Sequence, residues 1–299
     1  MQLMPHVRMK RAQQRIPVMS QLPLAYWITG ASLDARDIGT KQTTSLQWDN
    51  VYLNAEEMAV IVPISKNLLD DMDYDFWAQT KPRITEAFGI ALDDAIFFGT
   101  NAPTTFPPSI VSGANSAGNL VIAGTSTVDF LDDVNSGMAT VESDGFDVTG
   151  FWARRQVKAK LRGMRDTTKG FIYFPDDAPT AAANVGTLFG EPIVFSNAGL
   201  TSFATGATGY SMIGGQWDQS MLAIRDDISM EMFDTGVIND NGSPPQIIFN
   251  LLQQDMVALR VTARFAWAVP NPINRQQPTK ASRYPFFVIQ QKAATGGEG

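Results

Sequence analysis

Residues 73–103 read "DYDFWAQTKPRITEAFGIALDDAIFFGTNAP", and this stretch decides the fold. From Trp77 to Phe98, side chains suited to a buried face return every three or four residues, which is the spacing of one side of an α-helix. The pattern predicts a long core helix over about residues 73–98. Gly99 follows directly, and glycine is the residue type that most often closes a helix.

Acidic residues crowd the start of this helix. A calcium-binding loop beginning at Asp71 would need glycine at position 76 and glutamate at position 82, where the chain has Phe76 and Pro82. We therefore interpret the acidic residues as caps of the first turn, where carboxylates accept hydrogen bonds from free N–H groups. Because Pro82 lies inside the helix, we expect a kink or a restart near Thr80. The acidic residues are Asp70, Asp71, Asp73 and Asp75.

The segment before the helix, residues 28–64, has the pattern of a long extended hairpin. Its polar tip carries Arg36, Asp37 and Lys41, and its second half contains Trp48 followed by alternating apolar residues. A two-stranded ribbon of this length is marginal by itself and exposes its edges. We expect the ribbon to lie on another copy of the molecule; packing on its own domain is the alternative.

Two strongly alternating segments near the C-terminus predict long, half-buried strands. They are "MLAIRDDISMEMF" at 221–233, with a bulge expected at Asp226, and "MVALRVTARFAWAV" at 256–269, whose odd positions are apolar. Together with the core helix they predict an α+β fold in which one helix lies across a narrow antiparallel sheet.

The middle of the chain carries weaker signals. Residues 126–162 predict two shorter helices, the first opened by a capping box of Ser126 and Asp129, the second formed by "FWARRQVKAKLRGM". Short strands "GFIYFP" and "EPIVFSN" follow. The basic residues of the second helix are typical of a solvated helix face, with a nucleic-acid surface as the alternative.

Composition excludes several classes of enzyme. The 299 residues carry a net charge of −7 and include no cysteine and one histidine, His6. Thiol nucleophiles, disulfides and thiolate zinc sites are therefore excluded, and a serine hydrolase would lack an imidazole held by the fold. No phosphate-binding glycine motif occurs. The sequence thus offers no catalytic, cofactor-binding or metal-binding residue.

The first 25 residues form a basic segment without acidic side chains. Ordering against a neighbouring subunit is favoured over direct contact with nucleic acid, and a solvated tail is the alternative. Its basic residues are Arg8, Lys10, Arg11 and Arg15.

The order of these segments resembles the major capsid proteins of tailed bacteriophages, which have the Hong Kong 97 fold. The resemblance covers about residues 28–272. Its segments, besides the hairpin and the core helix, are "VPISKNLLDD", "FWARRQVKAKLRGMRDTTKGFIYF", "TLFGEPIVFSN", "MIGGQWDQSMLAIRDDISMEM" and "DMVALRVTARFAWAVPNP".

This resemblance implies a division of the chain and a set of partners. It implies an N-terminal arm (1–27), an extended loop (28–64), a peripheral domain (65–126 and 216–263) and an axial domain (127–215 and 264–299). Copies would join into hexamers and pentamers of an icosahedral phage head around packaged double-stranded DNA, made in the host cytoplasm, with scaffolding, portal and possible decoration proteins as partners. No cofactor is implied. The expected inter-subunit contacts are Arg36, Asp37, Lys41, Trp48, Arg8, Arg11 and Arg15.

Some relatives of this family join subunits covalently through a lysine, an asparagine and an assisting glutamate. Lys41 matches the lysine, but Asp255 stands at the asparagine position and Thr262 at that of the glutamate. An ionised carboxylate resists nucleophilic attack, and threonine cannot take the lysine proton as a carboxylate can. We therefore expect no autocatalytic cross-linking. Because about 25 residues precede the hairpin, we also expect a separate scaffolding protein or an N-terminal segment removed earlier.

Two other functions compete with the phage head. An encapsulin-type nanocompartment has the same fold but would begin with an amphipathic helix, whereas Pro5, Pro17 and Pro23 interrupt this N-terminus. An enzyme using paired carboxylates is the alternative from a different class, with Asp70, Asp71, Asp93 and Asp94 as its candidates. Asp93 and Asp94 lie near the C-terminal end of the core helix, so we expect an arginine partner from another element.

Overall fold

The computed structural model describes residues 3–27, 43–71, 73, 76–123, 130–163, 185–196, 209–240 and 242–291. The strands are, in chain order, β1 (His6–Arg8), β2 (Gln13–Gln21), β3 (Gln47–Asn54), β4 (Glu56–Ser65), β5 (Leu120–Ala123), β6 (Gly150–Arg154), β7 (Val185–Leu188), β8 (Glu191–Ser196), β9 (Tyr210–Gly215), β10 (Met221–Phe233), β11 (Val237–Asn239), β12 (Ile247–Asn250), β13 (Met256–Ala268) and β14 (Phe286–Gln291). The α-helices are α1 (Lys66–Asp70), α2 (Phe76–Phe98), α3 (Ile110–Ala117), α4 (Phe130–Ser143) and α5 (Val157–Gly163).

The predicted core helix is confirmed as α2. It runs through Pro82 without interruption, so the restart expected near Thr80 is wrong. Gly99 closes the helix in the left-handed region, with φ of +74°, and its N–H donates to the carbonyl oxygen of Ala95 at 3.0 Å. Among the acidic residues expected to cap the first turn of this helix, Asp71 lies at the end of α1. Its N–H donates to the carbonyl of Asn67.

Helix α2 packs its first half on a four-stranded sheet whose order is β1-β10-β13-β4. Ile84 and Phe88 contact a row of alternate residues on β13, as the alternation of that strand predicted: Leu259, Val261 and Ala263 are all buried. The architecture of one helix across a narrow antiparallel sheet is thereby confirmed. The bulge expected in β10 is also present, because the pairing register with β13 shifts on both sides of Asp226.

The second half of α2 packs against a six-stranded sheet of order β5-β14-β9-β6-β8-β7. This sheet contradicts one prediction: residues 151–154, expected to begin a helix, belong to the buried strand β6, and within that predicted helix only α5 is helical. The apolar run is too short for its spacing to separate a helix from a buried strand, and pairing with β8 and β9 decides for the strand. The "GFIYFP" strand and the Ser126 capping box lie outside the described residues.

The N-terminal residues are built into strands. β1 pairs parallel with β10 in the four-stranded sheet, and β2 pairs antiparallel with β3. β4, which follows β3 after one residue, pairs with β13 instead. The second half of the predicted hairpin is therefore divided between the β2–β3 ribbon and the main sheet, while residues 28–42 lie outside the described part of the chain.

The described ranges contain neither a candidate membrane-spanning helix nor a cluster of metal-binding side chains. No helix there is long and apolar enough to cross a bilayer. Nor does any group of three or more histidine or acidic side chains gather there in a way that would hold a metal ion.

Two helical glycines provide a test of this packing. A Cβ at Gly137 on α4 would lie 2.2 Å from Cδ2 of Phe287 on β14, whereas a Cβ at Gly89 on α2 would meet no atom within 4 Å. Gly137→Ala should therefore destabilise the subunit by about 1–3 kcal/mol through overpacking. Gly89→Ala should stabilise it by about 0.5–1 kcal/mol through helix propensity. Urea unfolding of the unassembled subunit measures both, and equal effects would contradict the packing of α4 on β14.

Candidate assembly surface

The β2–β3 ribbon has one face turned towards its own subunit. Cross-strand partners in an antiparallel pair share a face, and Ile16 opposite Val51 and Gln14 opposite Leu53 form this inner face. Leu53 is 1% exposed and belongs to a small apolar cluster with three alanines of the main sheet, Ala223, Ala266 and Ala268. The short alanine side chains let the ribbon lie close against β10 and β13.

A loop after β13 holds the end of the ribbon at which β2 finishes and β3 begins, which we call its base. The N–H of Ile273 donates to the carbonyl of Met19 at 3.4 Å, and the guanidinium of Arg275 donates to the carbonyl of Pro23 at 2.8 Å. The Nζ of Lys280 lies 3.5 Å from a carboxylate oxygen of Asp49. The base of the ribbon is therefore fixed on its own subunit through both of its strands.

Arg283, which is 3% exposed, organises this supporting loop. Its guanidinium donates to four backbone carbonyls, those of Asn271, Pro272, Gln277 and Pro278. Burial lowers the pKa of Arg283, and the nearby charge of Asp144 opposes that shift. Only the five-donor fork of arginine serves so many carbonyls from one buried position, so the loop is specified by this single side chain.

Asp144 connects the supporting loop to the six-stranded sheet. Its Oδ2 accepts hydrogen bonds from Nδ2 of Asn119 at 2.8 Å and from the N–H of Tyr284 at 3.0 Å. Tyr284 follows Arg283 directly and leads into β14, and burial raises the pKa of its phenol. The orientation of the ribbon is thus coupled to the body of the subunit through buried polar contacts.

The opposite face of the ribbon, which we call the outer face, is exposed and aromatic. It includes Arg15, Pro17, Trp48, Asn50 and Tyr52, of which Trp48 is 59% and Tyr52 is 50% exposed. Large aromatic side chains grouped on a surface in this way are typical of protein–protein contacts. The ribbon therefore presents exposed aromatic side chains on a rigid support.

The structure brings together some of the residues predicted as inter-subunit contacts. Arg15 and Trp48 share the outer face, whereas Arg8 ends β1 and Arg11 lies exposed in the connection from β1 to β2. Arg36, Asp37 and Lys41 lie outside the described residues.

The sequence reasoning missed Tyr52 and the exposed side chains of Tyr26 and Trp27. The spacing of two between Trp48, Asn50 and Tyr52 was the signal that could have placed Tyr52 beside Trp48.

The carboxylates proposed for an enzyme do not form a catalytic pair. Asp70 and Asp71 precede α2, whereas Asp93 and Asp94 lie near its other end, roughly 25 Å away at 1.5 Å per residue. The two carboxylates of a glycosidase lie within about 10 Å of each other.

The arginine partner expected from another element is present for Asp94. It is Arg154 of β6: burial lowers the pKa of Arg154 to about 10, and the charge of Asp94 works against that shift. Asp94 and Arg154 are both buried, while burial also raises the pKa of Asp93. These groups join α2 to the six-stranded sheet and have a structural role.

Comparison with known proteins agrees with this non-catalytic arrangement. A family model described as "Phage capsid family" matches residues 1–273. The major capsid protein of Staphylococcus phage 80alpha is 30% identical over 272 residues, which cover 89% of this chain and 74% of that protein.

Solved structures show the same fold. A chain from Microbacterium phage Oxtober96 superimposes with a TM-score of 0.80 at 32% identity, covering 97% of this chain and 90% of the other. A chain described as the capsid of a native GTA particle computed with C5 symmetry has a TM-score of 0.60 at 17% identity, covering 98% and 89%, and shows the fold alone. The chain is α+β with the Hong Kong 97 type of fold, and it belongs to the phage capsid family as a structural, non-enzymatic major capsid protein.

Proposed function

We propose that copies of this chain assemble into hexamers and pentamers of an icosahedral phage head that encloses double-stranded DNA. The observation that carries the proposal is the ribbon, whose inner face is packed on its own subunit while Trp48 and Tyr52 on the outer face stay exposed. A neighbouring copy is the surface that would cover them. Synthesis in the host cytoplasm and contacts with scaffolding, portal and possible decoration proteins belong to the same proposal.

Within the shell, the contacts expected from the sequence fall into two groups. Arg15 and Trp48 act from the outer face, and Arg36, Asp37 and Lys41, which lie outside the described residues, are proposed to contact the neighbour as well. Arg8 and Arg11 act from the N-terminal segment. Arginine side chains pair well with carboxylates, so acidic surfaces of this acidic chain are suitable partners.

The proposed division into domains follows the two packed bodies. The peripheral domain (65–126 and 216–263) contains α2 with β10 and most of β13, and the axial domain (127–215 and 264–299) contains most of the six-stranded sheet. The arm (1–27) and the extended loop (28–64) meet in the β2–β3 ribbon. Support for this division comes from separate apolar clusters on the four-stranded and the six-stranded sheet.

An encapsulin-type compartment is the second candidate with this fold. One observation favours the phage head: His6–Arg8 and Gln13–Gln21 are β-strands, so they do not form the amphipathic helix expected at an encapsulin N-terminus.

Electron microscopy of the purified chain, alone and co-expressed with the head proteins of its phage, tests the proposal directly. We expect closed icosahedral shells or rings of five and six subunits. DNA inside shells from infected cells separates a phage head from a cargo compartment. Dispersed monomers under every condition would contradict the proposal.

The outer face should be needed for assembly but not for folding. The double substitution Trp48→Ser with Tyr52→Ser removes two exposed rings, each worth roughly 1.5–3 kcal/mol when buried, so shell yield should fall by more than about tenfold. The melting temperature of the unassembled subunit should change little, because at least half of each side chain is already exposed to water in that subunit. Gln47→Ser, on the same exposed strand, is the control; equal yields from all three chains would exclude the outer face.

Covalent joining of subunits should be absent. Asp255 pairs with Lys66 at 3.9 Å, and the hydroxyl of Thr262 contacts that of Ser229 at 2.8 Å. Neither side chain supplies the amide or the proton acceptor that a lysine-to-asparagine bond needs. Mature shells boiled in detergent should therefore run as single chains on a gel, and a ladder of multimers would show this expectation to be wrong.

A further inference from the structure

The turn between β7 and β8 places a bulky side chain in an unfavourable backbone conformation. Leu188 pairs with Glu191, which leaves Phe189 and Gly190 as the two residues of a tight hairpin turn. Their φ angles are +52° and +88°. Such turns favour Asn-Gly or Gly-Gly, because positive φ brings a Cβ too close to the backbone.

More than half of the Phe189 side chain lies in water, so burial contributes little to offset this conformation. Its side chain is 53% exposed, while the adjacent Leu188 is 3% exposed and belongs to the core of the six-stranded sheet. Glycine or asparagine would make the same turn with less strain and without a large apolar ring in water. A local feature that costs folding free energy in this way indicates a function outside the folding of the subunit.

The position of the turn suits a contact with another molecule. β7 is the outermost strand of the six-stranded sheet, on the edge opposite β5. A Cβ built on Gly190 would meet no atom within 4 Å, so the turn projects into open space. Leu188, buried at its base, holds the hairpin rigidly. A rigid hairpin with an aromatic ring at its tip loses little conformational freedom on binding.

We propose that Phe189 is an anchor that inserts into a second copy of this chain. The inference rests on the proposed self-assembly, in which other copies of this chain are the most abundant protein surface that the tip can meet. This contact lies on the six-stranded sheet and is separate from that of the β2–β3 ribbon.

Phe189→Asn tests the anchor because its two effects have opposite signs. Asparagine tolerates a positive φ, so the unassembled subunit should melt at the same or a higher temperature than the wild type. Shell yield should fall by about tenfold or more, because the ring is lost. Phe189→Tyr keeps an aromatic ring and should keep most of the assembly. A lower melting temperature for Phe189→Asn, or a wild-type shell yield, would overturn the proposal.

Photo-cross-linking identifies the molecule that receives the ring. With p-benzoylphenylalanine in place of Phe189, irradiated shells should give a band of twice the chain mass, and dissociated subunits should not. Cross-links only to a different head protein would overturn a second copy as the occupant. Wild-type chain that forms no shells would refute the proposed function itself, whereas shells that form equally well without the ring would refute only the anchor.

Discussion

The structure depends on the junction where the last turns of α2 meet the six-stranded sheet. Phe97 lies between two indoles, its ring centroid 4.9 Å from that of Trp152 and 6.1 Å from that of Trp217. This cluster also includes Met4 from the N-terminus and Trp267 from β13, so five distant parts of the chain meet in it. Beside it, the buried negative charge of Asp94 attracts the buried positive charge of Arg154. The first half of α2 packs on the four-stranded sheet. The junction at the other end of the helix therefore attaches both sheets to the same helix.

The rigid body of the subunit holds the ribbon in one position. A two-stranded ribbon by itself is marginal, but here its inner face lies on a row of alanines and its base is held by the loop that Arg283 organises. The ribbon is thereby a fixed part of the surface. Trp48 and Tyr52 are held in place before any neighbour arrives, so little conformational entropy is lost when they are covered. Pre-organisation of this kind lets a contact of modest area contribute to assembly.

The sequence predicted those elements whose signals are local, and failed where distant pairing decides. Helix α2, the alternation of β13 and the bulge at Asp226 follow from spacing and residue type alone. β6 was mistaken for a helix because five apolar and basic residues carry no decisive period and its two partner strands are far away in the chain. The pairing of β2 with β3 was missed for the same reason. The role of Arg283 depends on carbonyls that only the folded loop brings together, so no sequence signal existed.

The exposed face of the four-stranded sheet carries several charged side chains. Its charges are paired within the subunit: Arg260 with Glu231, and Arg264 with Glu57 at 3.0 Å and with Asp226 at 3.7 Å. Such exposed pairs add at most about 1 kcal/mol each to stability, but they leave few unmatched charges to attract another chain. Apolar rings have no such internal partner and gain free energy only by being covered. In the proposed assembly, these paired charges and the uncovered rings of the ribbon would favour association through the ribbon in a defined orientation, which favours a closed shell over an irregular aggregate.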